Sequence, residues 1–241
     1  MPSLRDCTLM TLPLALLACG GEGEILVSAY GEAFVEEGIA PEDMSDGWRI
    51  DFDQFEVGIR DVEVAGERLS EDFVVELTRP SAGEGHPLAA AQVAPGQYRD
   101  HAFTLGPIAL SGTAVRSGET KRFDWRFEGR TRYDGCEAET EVEDGAAARL
   151  EITVHADHLF FDSLVAEEPV LGFQPLADAD QDGDGVITPE ELAAADIGAY
   201  DPGSAADIDD LWSWLSAQAS LVGHVDGEGH CRARPTSGDP S

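Results

Sequence analysis

Arg122-Phe123-Asp124-Trp125-Arg126-Phe127-Glu128 sets the character of the chain. Phe123, Trp125 and Phe127 alternate with charged residues, so one face of this stretch is apolar and the other wet. A period of two is the pattern of a half-buried β-strand. Upstream, Tyr98 to Leu105 follows the Pro95-Gly96 turn signal as a second strand, and Ile108 to Val115 reads as the next. Further back, Trp48, Ile50 and Phe52 alternate with Arg49, Asp51 and Asp53. The apolar parity then changes at Phe55 and again at Val62, which predicts strands broken by bulges or a bend. Phe73, Val75 and Leu77 form another alternating run, as do Leu150, Ile152 and Val154 downstream; Ile25 to Tyr30 opens the series. Short alternating strands separated by turn signals predict a mainly β fold, a β-sandwich of immunoglobulin-like or Greek-key type, over residues 25–165. The aromatic residues fall on the inward parity and are read as core. No repeat indicates a solenoid or propeller.

After residue 165 the texture changes. Asp180-Gln181-Asp182-Gly183-Asp184-Gly185-Val186-Ile187-Thr188-Pro189-Glu190-Glu191 places carboxylates at alternate positions, a glycine at the sixth place and a glutamate at the twelfth. Ca²⁺ is a hard cation that takes about 6–8 oxygens. Carboxylates two residues apart can curl around one centre, and Gly185 permits a turn that a side chain would oppose. The stretch matches the D-x-[DN]-x-[DN]-G-x5-E pattern at every fixed position and resembles the EF-hand loop. The resemblance covers only this loop and its flanks. It implies Ca²⁺ held by Asp180, Asp182, Asp184, the Val186 carbonyl, Thr188 and Glu191. The plain alternative is an acidic surface loop.

Thr188, Pro189 and Glu191 suit the N-cap, first position and capping-box position of a following helix. Only one helical turn, Leu176 to Ala179, fits before the loop. Ser204 is expected to cap a further amphipathic helix, with Ile208, Leu211, Trp212 and Leu215 on its inner face. Residues 166–231 thus read as a small helical part packed on the sandwich. Residues 232–241 read as a disordered tail. The loop stands alone, and Met44 is the only methionine outside the N-terminal segment. Sensor hands open a Met-rich groove, so the expected role of the ion is structural.

The N-terminus speaks for compartment. Leu12 to Ala18 is apolar but too short to span a bilayer, and it ends in Leu16-Leu17-Ala18-Cys19-Gly20. This resembles a bacterial lipoprotein signal. The resemblance implies that residues 1–18 are removed and that Cys19 carries the lipid, with residues 19–24 a flexible tether. Gly20 after the cysteine implies the outer membrane. Asp and Glu total 48 against 15 Lys and Arg, a formal net charge of −33. That excludes nucleic-acid or anionic-membrane binding through a basic patch; the lipid is the expected membrane contact, and no protein or ligand partner can be named. Cys136 and Cys231 remain after Cys7 and Cys19 are accounted for. In an oxidising compartment they are expected to pair, the alternative being two free thiols.

Two short stretches concentrate imidazole and carboxylate. One holds His155, Asp157 and His158; the other holds His224, Asp226, Glu228 and His230. If the second is extended, its four polar side chains share a face. This donor mix suits Zn²⁺ or Cu²⁺, so a second metal site is a candidate, with a polar histidine network as the alternative. His86 and His101 stand alone and read as surface residues. Three functions follow: a calcium-stabilised binding or structural module, a periplasmic Zn²⁺ or Cu²⁺ binder, or a metal-dependent hydrolase with Glu228 as base. No G-x-S-x-G or other nucleophile motif occurs, so enzyme activity is the least favoured.

Overall fold

The computed structural model describes residues 21–236. The stretch expected as a signal segment, and Cys19, lie outside them. The described chain is mainly β, with 46% strand and 13% helix. The strands are β1 (Gly23–Tyr30), β2 (Arg49–Val64), β3 (Glu67–Arg68), β4 (Phe73–Glu76), β5 (His86–Val93), β6 (Gly96–Tyr98), β7 (Ala102–Arg116), β8 (Glu119–Phe127), β9 (Arg130–Asp134), β10 (Thr140–Val142), β11 (Ala147–Val154), β12 (Val186–Ile187), β13 (Gly223–Val225) and β14 (Arg232–Thr236). The helices are α1 (Glu32–Glu36), α2 (Gln174–Ala177), α3 (Pro189–Ala194) and α4 (Leu211–Ala219), with a 3-10 turn over Asp157–Phe160. None is long and apolar enough to cross a membrane.

One sheet runs β13-β11-β1-β5, its β1–β11 pair parallel. A larger one runs β12-β8-β7-β2-β3, with β4 paired to β2 and β9 bridging β7 to β14, and β6 and β10 form a separate two-stranded sheet. A single core takes Ile25 and Val27 of β1, Ile152 of β11, Phe55 and Val57 of β2, and Trp125 of β8. The alternation at 122–128 is realised as expected: Phe123, Trp125 and Phe127 are buried and their neighbours are not. The parity changes in β2 become register shifts against β7, at Phe52/Gln54, Val57/Ile59 and Arg60/Glu63. One strand therefore keeps an apolar face inward over its whole length by inserting bulges.

The two stretches expected as separate strands, Tyr98 to Leu105 and Ile108 to Val115, largely form the single strand β7. Its later part pairs with β8 and its earlier part with β9. Between them Gly106 sits at φ 109°, where a Cβ would run into the Gly129 carbonyl. Only glycine permits this approach.

The C-terminal part is not simply helical. It adds β12 and β14 to one sheet and β13 to the other. Residues 232–236, expected as disordered tail, pair with Arg130–Asp134, because the open edge of β9 offers backbone partners that the composition does not reveal. The expected tether is likewise shortened, since β1 begins at Gly23. Ser204 caps no helix: Asp207 lies at φ 64°, and Asp210 caps α4 by accepting from Ser213 N at 2.8 Å.

Candidate metal centres

The acidic loop is built between α2 and α3. Gly183 and Gly185 adopt φ 75° and 82°, and these left-handed turns fold the loop back on its own carboxylates. Asp180 accepts from Gly183 N at 2.9 Å and Gly185 N at 3.0 Å, while Asp182 accepts from Asp184 N and Asp184 from Val186 N. One oxygen each from Asp180, Asp182 and Asp184 lies within 4.8 Å of the others. Glu191 spans the loop, accepting from Gln181 N at 3.1 Å and Thr188 N at 3.0 Å. Thr188 N-caps α3 with the full reciprocal box, as its sequence predicts.

The loop is tied to the sheet at three points. Val186 and Ile187 pair in parallel with Arg122 and Phe123. The buried Trp125 indole donates to the Ile187 carbonyl at 2.9 Å. Lys121 donates to Asp180 Oδ2 at 2.7 Å, and this ammonium is the foremost reason that Asp180 titrates below the usual carboxylate range. Glu191 is also held low, first by the hydrogen bond from Thr188 N. Both carboxylates are therefore ionised at neutral pH, the form a hard cation requires. Lys121 was not legible as part of this site, because nothing local links it to a loop far downstream in the chain.

The histidine stretches meet at the end of the four-stranded sheet. β13 adds to the edge of β11 with His224 opposite Thr153, and His155 N donates to the Val222 carbonyl at 2.9 Å. The chain then coils into the 3-10 turn, which carries His158 back beside His155. The ring centroids lie 4.3 Å apart for His155 and His224, 5.2 Å for His155 and His158, 5.1 Å for His158 and His224, and 5.1 Å for His224 and His230. Ligand atoms of His155, Asp157 and His158 lie within 4.8 Å of one another.

Two residues change places relative to expectation. Asp226 does not join the cluster. β13 stops at Val225, Asp226 and Gly227 turn at positive φ, and the Asp226 carboxylate accepts from Glu151 N at 2.9 Å. The extended conformation that would have aligned four polar side chains is lost to this hairpin. Glu32 arrives instead, with Oε2 3.5 Å from His155 Nδ1. No spacing signal marks Glu32, which comes from α1, the helix that follows β1. Its φ of 58° is an uncommon conformation for a non-glycine residue.

Burial dominates the electrostatics of the cluster. It pushes His158 down to about 4, assisted by His155, and His224 down to about 3, assisted by His155 and His158. It raises Asp157 and Glu32, against the opposing pull of His155. His158 and His224 are thus neutral at physiological pH, the ligating form of imidazole. A cavity of about 300 Å³ opens beside them, lined by His158, His224, His230, Tyr133 and Leu221. His230 reaches this cavity from the hairpin after β13, and Glu228 is exposed on the same hairpin.

The remaining cavities and histidines lie away from this chemistry. The larger cavity, about 520 Å³, lies between β8, β9 and α4 against Phe127 and Trp212, and it gathers none of the candidate ligands. His101, expected at the surface, is buried with Nε2 3.1 Å from Thr140 Oγ1. Thr140 belongs to β10, which pairs with β6 just ahead of His101.

Comparison with known proteins finds no matching family model, no similar curated sequence and no similar solved structure.

Proposed function

We propose that this chain is a calcium-binding lipoprotein of the cell envelope, a β-sandwich module in which the ion has a structural task. The observation that carries the reading is the convergence of Asp180, Asp182 and Asp184 on one point, immediately before a strand pair that belongs to β8. An ion bound there would hold α3 and the C-terminal part against the sheet. The edge of β12 is satisfied by β8 rather than by a second hand, which favours a clasp over a sensor. Lipid attachment at Cys19 would place this module close to a membrane, since β1 starts soon after it at Gly23.

Extracellular calcium modules bind at about 10⁻⁴–10⁻³ M, and millimolar calcium is expected to raise the melting temperature of the wild-type chain. Asp180→Ala and Glu191→Gln should each abolish that rise. A wild type whose melting is indifferent to calcium up to several millimolar rules out the proposal. For the anchor, wild-type protein expressed in bacteria should partition into a detergent phase and Cys19→Ser should not. Equal partitioning of the two would remove lipid attachment at this residue.

A further inference from the structure

Ligand atoms of His155, Asp157 and His158 converge in the histidine cluster, and the carboxylates nearest His155 do not hydrogen-bond to it. His155 Nδ1 stands 3.5 Å from Glu32 Oε2 and 3.8 Å from Asp157 Oδ1. Both separations exceed a normal N–H···O bond of about 2.7–3.2 Å. A polar network that served only to lock the tail onto the sheet would close these gaps. It would also satisfy its members, yet the buried Asp157 Oδ1 and the buried His224 Nδ1 have no partner at all. Leaving such buried atoms unpaired is unfavourable.

Tautomers indicate where the lone pairs point. His155 Nε2 lies 3.1 Å from the Gly227 carbonyl, and His158 Nδ1 lies 3.0 Å from the Leu221 carbonyl. A carbonyl only accepts, so each of these nitrogens carries the proton. In the neutral rings that a metal ion takes, the lone pairs then fall on the opposite nitrogens, His155 Nδ1 and His158 Nε2. Metal-bound histidines are held in this way, with the second ring N–H donated to a carbonyl or carboxylate.

We propose that His155 Nδ1, Asp157 Oδ1 and His158 Nε2 form a partly buried site for a divalent transition ion, with Zn²⁺ as its defining ligand. Glu32 stands against His155 as a further carboxylate donor, and His224 is the next imidazole. The donor set separates this site from the acidic loop, because two neutral nitrogens suit a borderline ion, whereas Ca²⁺ takes oxygen. The ligand atoms need only draw in from their present spread to the roughly 3.3 Å separation set by Zn–N and Zn–O bonds of about 2.0–2.2 Å. The neighbouring cavity gives the ion a route in and leaves one side of it accessible. A site with three protein ligands and an open side can accept a small ligand or a water as its fourth partner.

The test is a Zn²⁺ titration of the full chain after stripping with a chelator, in buffer containing excess Ca²⁺ to saturate the acidic loop. The expected result is one tightly bound equivalent of Zn²⁺, undisturbed by calcium. A His158→Gln, Asp157→Asn double variant should lose at least about 100-fold in affinity. Co²⁺ added to wild type supplies a measurement that needs no variant: its visible absorption should show the intense bands of a four-coordinate site containing nitrogen. The proposal is overturned if stripped wild type takes up no saturable equivalent. It is equally overturned if the double variant binds as wild type does, or if Co²⁺ gives only the weak spectrum of the hydrated ion.

Discussion

Trp125→Ala is expected to lower the unfolding free energy by about 3–5 kcal/mol, the usual cost of emptying a large aromatic site in a core. Trp125 is fully buried and stacks on Phe123 with centroids 4.7 Å apart. Its indole N–H also holds the Ile187 carbonyl, so the same substitution frees the strand that closes the acidic loop. Urea unfolding monitored by circular dichroism measures the loss. Trp125→Phe separates the two contributions, since it keeps most of the apolar bulk and removes the donor. The buried carbonyl left behind should cost about 1–3 kcal/mol, and calcium should bind more weakly. If Trp125→Phe alters stability but leaves calcium affinity untouched, the coupling between β8 and the loop is wrong.

Removing the disulfide with Cys136→Ala and Cys231→Ala should cost about 2–5 kcal/mol. The bond between Cys136 and Cys231 is formed and spans a sequence separation of 95 residues. Such a long closed loop would gain much chain entropy in the unfolded state when opened. The bond also fixes the hairpin after β13, where Glu137 N donates to the His230 carbonyl at 2.8 Å. β14 follows directly and pairs with β9. The variant should therefore lose hydrogen-exchange protection first at residues 223–236, ahead of β1 and β11. Uniform loss across the two large sheets would show that the bond acts on the unfolded chain alone.

Several of these features were open to a reader of the sequence because their signals are local. The alternation at 122–128 and the parity changes in β2 follow from side chains alternating between faces, so they survive any arrangement of neighbours. The box of Thr188 and Glu191 is closed within one turn of helix. Other features were closed for an equally physical reason. The short helix α1 lacks a side-chain cap, and β5 carries three consecutive alanines with little periodicity. Asp210 displaced Ser204 as a cap because Leu211 N is drawn to the Ala195 carbonyl at 3.0 Å, a contact between distant residues.

The sequence alone determined the β class of this protein and the carboxylate spacing of Asp180 to Glu191, because each depends on residue type at short range; it left the Cys136–Cys231 pair open against two free thiols, and the fold decided it by bringing the two cysteines together. Tertiary structure decided the rest. It brought Lys121 to Asp180, set Glu32 beside His155, and turned Asp226 away into a hairpin. Those three placements depend on which strand edges meet, and edge pairing is governed by backbone groups that every residue shares. The local pattern names the donors; only the meeting of β1, β11 and β13 selects which of them face one another.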